Sequence, residues 1–483
     1  MRHAFLKGLG VVVLGVASAG ARASGDPGEA EFRALYRELV ETNTTLSSGS
    51  CTRAAEAMGA RLREAGLPAS DVEVIAPPDR PRDGALVALL RGSDARLKPL
   101  MLLAHIDVVE ARREDWARDP FTLVEEDGFF YARGAADDKA MAAALTDSLV
   151  RYRQEGYVPR RGIKLALTCG EETPDTFNSV RWLLQTRPDV LDAAFVINEG
   201  AGGELDADGK PVALQVQAGE KVYQDFRLGL ANSGGHSSRP KKENAIVQMS
   251  AALVRLGAYR FPIAVNPAVR AYFEAQAGQA SPEVAADIRA VLADPADEAA
   301  ALRLWDVNPG WNGMLRTTCI PSMVEGGHAP NAQPQKVTAN VNCRILPGVP
   351  VDTVQATLAR VLDDPSIGIE PVGEIGQSTV PPPLDAGMLA PVREVAEGIW
   401  PGVAIVPTMT TGGTDGRFLN AAGIPTYGVS GMFHDAEGSH AHGLDERIRV
   451  QSLLDGRRFL YALVRRYADS GWAPGGQAAT PAP

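Results

Sequence analysis

The sequence predicts an α/β protein, a mixed sheet flanked by helices and interrupted by an inserted α+β domain. Three observations predict it. Short apolar runs ("GALVALLRG", "LKPLMLLAHIDVV", "GIKLALTCGEE", "DAAFVINEG") alternate with segments of helical period through about residue 217, and such alternation marks helices layered on a sheet. Between about 218 and 376 the texture changes to a strand, a helix-rich stretch, two strands and a helix. Beyond 377 the first pattern returns.

The chain opens on "MRHAFLKGLGVVVLGVASAGARAS". Arg2 and Lys7 flank an apolar stretch too short to span a bilayer, and Ala21-Arg22-Ala23 forms an A-x-A cleavage pattern, so residues 1–23 read as a removable export signal. The expected location is therefore the periplasm or the medium. Removal takes three basic residues and no acid, moving the formal charge from −11 to −14. That balance argues against nucleic acid or an anionic membrane as a partner. With 45% hydrophobic and 22% charged residues in 483, the chain has the composition of a folded protein of more than one core.

Helical periodicity covers residues 31–67 in two pieces, the second stopping at Gly66 and Pro68. The four apolar runs follow as strands, with "DKAMAAALTDSLVRYRQEG" and "FNSVRWLLQTRP" as helices between them; together they make residues 24–217 the first part of the main domain. The insert begins with "KVYQDFRLGLANSGGHSSRP" and contains helices over 245–305, strands in "MLRTTCIPSMVEGG" and "KVTANVNCRILPG", and the helix "VDTVQATLARVLDD". Residues 377–470 complete the main domain, and 471–483, "GWAPGGQAATPAP", read as a disordered tail. Of the four cysteines, Cys319 and Cys343 flank a hairpin-like stretch suited to a bridge, whereas Cys51 and Cys169 read as buried thiols.

Ligands gather at the carboxyl ends of strands in open α/β sheets. Those ends carry His105 and Asp107, Glu171 and Glu172, and Glu199. His105 and Asp107 share a face of an extended strand. Asp137 and Asp138 in "ARGAADDKA" stand before a helix that one of them could cap. Two adjacent acids alone mark a solvated loop more often than a site. Glu171 and Glu172 gain a reason to be neighbours if one takes a metal while the other holds a proton as general base. "GSHAHGLDERI" adds His440 and His442 from a chain with seven histidines.

The ordered set "LLAHIDVV", "ARGAADDKA", "TCGEETPD", "INEG" and "HAHGLDERI" resembles the M20 metallopeptidases, which include carboxypeptidases, aminoacylases and dipeptidases. The resemblance implies a zinc-peptidase-like catalytic domain holding two Zn2+ per chain, with Co2+ or Mn2+ as alternatives. Asp137 would bridge them, His105 and Glu199 holding one ion and Glu172 and His442 the other. His442 is preferred to His440 because the family's last ligand stands four residues before a Glu, here Glu446. Glu171 would be the general base and Asp107 the partner of a ligand histidine.

The insert resembles the family's lid and dimerisation domain, implying a homodimer through it. In "SGGHSSRP", His236 would polarise the scissile carbonyl. Asn331 and Arg344 match substrate-contacting positions, Arg344 being suited to a carboxylate. "GGTDGR" resembles a substrate loop around Gly412–Asp415, including Gly413 and Thr414. Where the family often has N-x-I-P, this chain has "NAQP", with a polar Gln333. The expected reaction is hydrolysis of an amide in a peptide with a free C-terminal carboxylate. N-acyl amino acid hydrolysis, dipeptide hydrolysis and a catalytically silent peptide-binding protein are the alternatives.

Overall fold

A computed structural model describes residues 28–173 and 176–476, so residues 1–23 lie outside the described part. The large sheet runs in the order Val72–Ile75, Ala85–Leu90, Ile163–Thr168, Leu100–His105, Phe195–Asn198, Thr426–Gly428, Pro211–Glu220, Gly203–Leu205 and Phe433–His434, and Ala404–Thr410 also pairs with Pro211–Glu220. Leu100–His105 is parallel to both neighbours, with His105 opposite Thr168. Parallel pairing brings the ends of these strands to one edge, from which the chain leaves into the segments holding Asp107, Glu171 and Glu199.

Leu100–His105 is apolar on both faces because both are covered. Leu100, Leu102 and Ala104 join the core formed with the helices Glu29–Glu41, Cys51–Glu64, Lys139–Gln154 and Val450–Asp469. Met101 and Leu103 join the opposite core with Val180, Leu183 and Leu419 from the helices Ser179–Thr186 and Gly416–Ala421. His105, the last residue of this run, is 2% exposed, so its ring is fixed by packing before any ligand is considered.

The insert holds an antiparallel sheet, Thr318–Gly326, Lys336–Ile345, Val222–Ala231 and Gly368–Val372, in that order. Val222, Phe226, Leu228 and Leu230 face the helices Ala245–Ala258 and Val351–Leu362. The helices Pro267–Ala277, Pro282–Ala293, Glu298–Val307 and Pro309–Leu315 form a separate core that takes in Met409 of the large sheet's strand Ala404–Thr410. This helical part of the insert is therefore seated on the large sheet.

Cys319 and Cys343 are bridged, as their flanking of a hairpin suggests. The reading of Cys51 and Cys169 as free thiols is corrected: they form a second disulfide, joining the first turn of Cys51–Glu64 to the residue after Ile163–Thr168. Their separation of 118 residues leaves no local signal of the pairing. The tail is corrected in part. Trp472 packs edge-on against Phe195 with ring centroids 4.9 Å apart, and its carbonyl accepts a hydrogen bond from Arg161 Nη2 at 2.7 Å, so ordered packing continues to 476 and only 477–483 lie outside the described residues.

Candidate active site

Five sequence-predicted ligands converge at the strand-end edge. His105 Nε2 lies 3.0 Å from Asp137 Oδ1 and 3.9 Å from Glu199 Oε1. His442 Nε2 lies 3.0 Å from Glu172 Oε1 and 3.2 Å from Asp137 Oδ2. Ligand atoms of His105, Asp137 and Glu199 fall within 4.8 Å of one another, as do those of Asp137, Glu172 and His442. Asp137 belongs to both sets, one oxygen turned to each histidine.

The donor chemistry fits two divalent cations. Each histidine presents Nε2 to carboxylate oxygens, an arrangement that needs either a proton on that nitrogen or a cation between the groups. His105 Nδ1 lies 3.1 Å from the Asp107 main-chain carbonyl, which fixes the proton on Nδ1 and leaves Nε2 as a donor to metal. Burial works against charge throughout the cluster: it pushes the carboxyls of Glu199, Glu171 and Asp138 well above the ordinary range, with neighbouring acids adding to it. Burial raises Asp137 too, but contacts from His105 and His442 outweigh it and hold Asp137 below its ordinary value. So many buried acids require positive charge among them.

Asp107 stands beside His105 and has a second task. Its carboxylate stands 3.6 Å from His105 Nδ1, the main-chain carbonyl being nearer. The carboxylate also accepts the amide N–H groups of Glu171, at 3.3 Å, and Glu172, at 3.0 Å. It thereby sets the turn that divides the two acids: Glu172 meets His442, while Glu171 lies within 4.8 Å of His105 and Glu172. The Glu171 side chain makes no hydrogen bond to another described residue. Asp138 directly precedes Lys139–Gln154 but makes no side-chain capping bond; the capping expectation is corrected, since its carboxyl is buried beside the His105–Asp137–His442 cluster instead.

The two histidines of "HAH" separate cleanly. His440 Nδ1 is engaged with Asp445 Oδ2 at 2.9 Å, away from the cluster. Both residues have a left-handed backbone, φ 53° at His440 and 65° at His442, a conformation unfavourable for a side chain with a Cβ, and only His442 directs its ring to Glu172 and Asp137.

Glu446 has a role that the sequence did not suggest. It is 1% exposed and accepts hydrogen bonds from Arg133 Nη1 at 2.7 Å and from the amides of Gly134, Ala136 and Asp137, each at 3.0 Å. It therefore shapes the loop that carries the bridging acid. The signal available in the sequence is its offset from His442, which marks register and says nothing of a buried anion.

The substrate residues divide. His236 and Asn331 share a small ribbon, His236 pairing with Ala332 and Ser237 N donating to Asn331 O at 3.0 Å. Both are exposed, and among the described residues no hydrogen bond or ion pair joins them to the His105–Asp137–His442 cluster. Arg344 lies in the small sheet, half-buried, its guanidinium 4.7 Å from the Tyr223 ring centroid and within electrostatic reach of Asp225. The Thr414 side chain is engaged within the protein. It is 6% exposed, its Oγ1 accepts from Asn198 Nδ2 and Gly416 N, and its amide donates to Glu220 Oε2 at 2.5 Å. Gly413 remains accessible beside it. Asp415 accepts from Thr168 Oγ1 at 2.7 Å and Asn178 Nδ2 at 2.5 Å, tying this loop to the strand that leads to Glu171.

Comparison with known proteins gives a consistent picture. The family model described as Peptidase family M20/M25/M40 matches residues 101–466. The chain is 30% identical over 394 residues to an N-fatty-acyl-amino acid synthase/hydrolase of Homo sapiens, covering 80% of this chain and 77% of that protein. It is 26% identical to a probable carboxypeptidase S-like protein of Dictyostelium discoideum, covering 79% and 74%. Its fold is similar to that of an M20 family metallo-carboxypeptidase from Sulfolobus solfataricus, with a TM-score of 0.67, 18% identity, and 91% and 99% of the two chains covered.

Proposed function

The chain belongs to peptidase family M20/M25/M40 and is an enzyme of that family acting on amide bonds; from that premise we propose that it cleaves the amide linking an acyl group to an amino acid with a free carboxylate, in the carboxypeptidase sense. The observation that carries this reading is Asp137, shared by two ligand sets, with the Glu171 carboxyl close to His105 and Glu172 beside them.

His105, Asp137 and Glu199 would hold one cation, and Asp137, Glu172 and His442 the other. Bound zinc, or a similar divalent ion, supplies Lewis acidity to the attacking water and to the scissile carbonyl. Glu171 takes the water's proton and returns it to the leaving amine. Burial raises its carboxyl, and the positive charge of bound cations would offset this and favour the ionised form that a base needs. His236 donates to the carbonyl oxygen as negative charge develops there. Arg344 binds the substrate carboxylate, since its half-buried guanidinium presents a planar fork of donors fitted to a planar anion. Gly412 and Gly413 offer main chain to the substrate.

A second reading has a specific observation behind it: the relative at 30% identity is named for fatty-acyl-amino acids. The two readings share the amino-acid half of the substrate and differ in the acyl half. Liquid chromatography of short peptides, dipeptides and N-acyl amino acids, with zinc and with chelator, separates them. Chelator-sensitive release of the C-terminal residue from peptides is expected. Turnover confined to N-acyl amino acids selects the second reading, and no product from any substrate would refute both.

Dimerisation belongs to the same proposal. The edge strand Thr318–Gly326 exposes Ile320, Met323 and Val324, and the helix Ala245–Ala258 exposes Val247 and Val254. An unpaired edge with apolar side chains invites a second copy. Export of the mature chain is proposed from residues 1–23 alone.

A further inference from the structure

Resting on the catalytic reading of His236, we infer that Gln333 is the positioning residue that presets this histidine. Position 333 is where the resembling motif has an apolar residue. A glutamine buried to 7% exposure must find partners for its amide or weaken the fold. Gln333 finds three, all on the segment carrying His236. Its Nε2 donates to the carbonyls of His236, at 3.2 Å, and Arg239, at 3.0 Å, while its Oε1 accepts the Lys241 amide at 3.0 Å. The segment 236–241 is thus closed around one side-chain amide. Gly235 pairs with Gln333 across the ribbon, and a Cβ there would stand 2.9 Å from Gln333 Nε2, so the approach depends on glycine.

Within that closed segment the imidazole is oriented too. His236 Nδ1 lies 3.2 Å from Ser238 N and 2.8 Å from Ser238 Oγ. A main-chain N–H can only donate, so Nδ1 accepts and the ring proton resides on Nε2. The ring therefore offers an N–H outward, the form needed to stabilise an oxyanion. His236 is exposed and has no packing of its own to hold this pose; the hydrogen bonds of Gln333 and Ser238 supply it.

The test is a double-mutant cycle of Gln333→Ile and His236→Ala in the full chain, reading kcat, KM, metal content and thermal unfolding. Misplacing an aligned group by about an ångström can cost on the order of 100-fold. Gln333→Ile is expected to lower kcat about 10- to 100-fold, with KM within about 3-fold and metal content unchanged. In the His236→Ala background the same change should have almost no further effect, because the group it positions is gone. Nitrogen chemical shifts of the His236 ring should show a single Nε2–H tautomer in the parent and a mixture in Gln333→Ile. If Gln333→Ile does not fold, Gln333→Met carries the same expectations. Parent kcat in Gln333→Ile, with His236→Ala impaired, would overturn this inference and leave the role of His236 standing. An equal loss from Gln333→Ile in both backgrounds would also overturn it. Parent activity in His236→Ala would remove the reading on which it rests.

Discussion

Replacing Cys51 and Cys169 together by alanine should expose how far the catalytic turn depends on a distant tie. The bridge closes a separation of 118 residues, whereas Cys319–Cys343 closes 24. Restricting the unfolded chain over these lengths is worth about 5 and about 3.5 kcal/mol respectively. A domain commonly has only about 5–15 kcal/mol of net stability, so the longer loop is a large share of it. The Cys51→Ala/Cys169→Ala variant should therefore lose more stability than Cys319→Ala/Cys343→Ala by about 1.5 kcal/mol. It should also lose turnover. Cys169 directly precedes Gly170, Glu171 and Glu172, and without the bridge the turn is held by hydrogen bonds alone, from Asp107, Ser179 and Asn178. Urea unfolding followed by circular dichroism, without reductant, measures the first effect; kcat at saturating metal measures the second. If the two double variants lose the same stability, or the longer-loop variant loses less than about 1 kcal/mol, the loop-closure reasoning fails.

Three further outcomes follow from particular residues. Glu220, buried, has its carboxyl raised from the ordinary value to about 7; between pH 4.5 and 7 the folded chain keeps a proton that the unfolded chain releases, so this group lowers stability by about 3 kcal/mol as pH rises through that window. Glu220→Gln cannot titrate, so its stability relative to the parent should climb from pH 4.5 to 7 in urea titrations, and parallel curves would contradict the assignment. Met323→Glu on the exposed edge strand should convert a dimer to monomer in size-exclusion chromatography with light scattering, a parent that is already monomeric being the contrary result. Glu446→Gln places an amide against four N–H donors, and metal affinity should fall about 10- to 100-fold by chelator competition; unchanged affinity would deny Glu446 its part in shaping the Asp137 loop.

Much of the site was legible because ligands cluster at strand ends in short, polar, glycine-flanked stretches. His105, Glu172 and Glu199 each follow an apolar run, and the motifs around Asp137 and His442 stand out by composition. What was not legible depends on contacts between distant parts of the chain. The strand Pro211–Glu220 lies deep in the large sheet, yet "PVALQVQAGE" contains two glutamines and a glycine, and its partners Ala404–Thr410 and Thr426–Gly428 come nearly 200 residues later. Gln217 is buried there because Gly200 and Gly428 leave room for its side chain. Glu446 likewise looks like an ordinary surface acid until Arg133 and three amides surround it. Gln333, an oddity in the motif, makes sense only once the carbonyls of His236 and Arg239 are placed against it.

The central claim is that one carboxylate, Asp137, joins two cation sites while Glu171 belongs to neither, and metal content per chain tests it most directly. By elemental analysis of purified protein, Glu171→Gln should retain about two divalent ions with most turnover lost, whereas Asp137→Asn should lose both. Full metal content in Asp137→Asn, or parent activity in Glu171→Gln, would contradict the account.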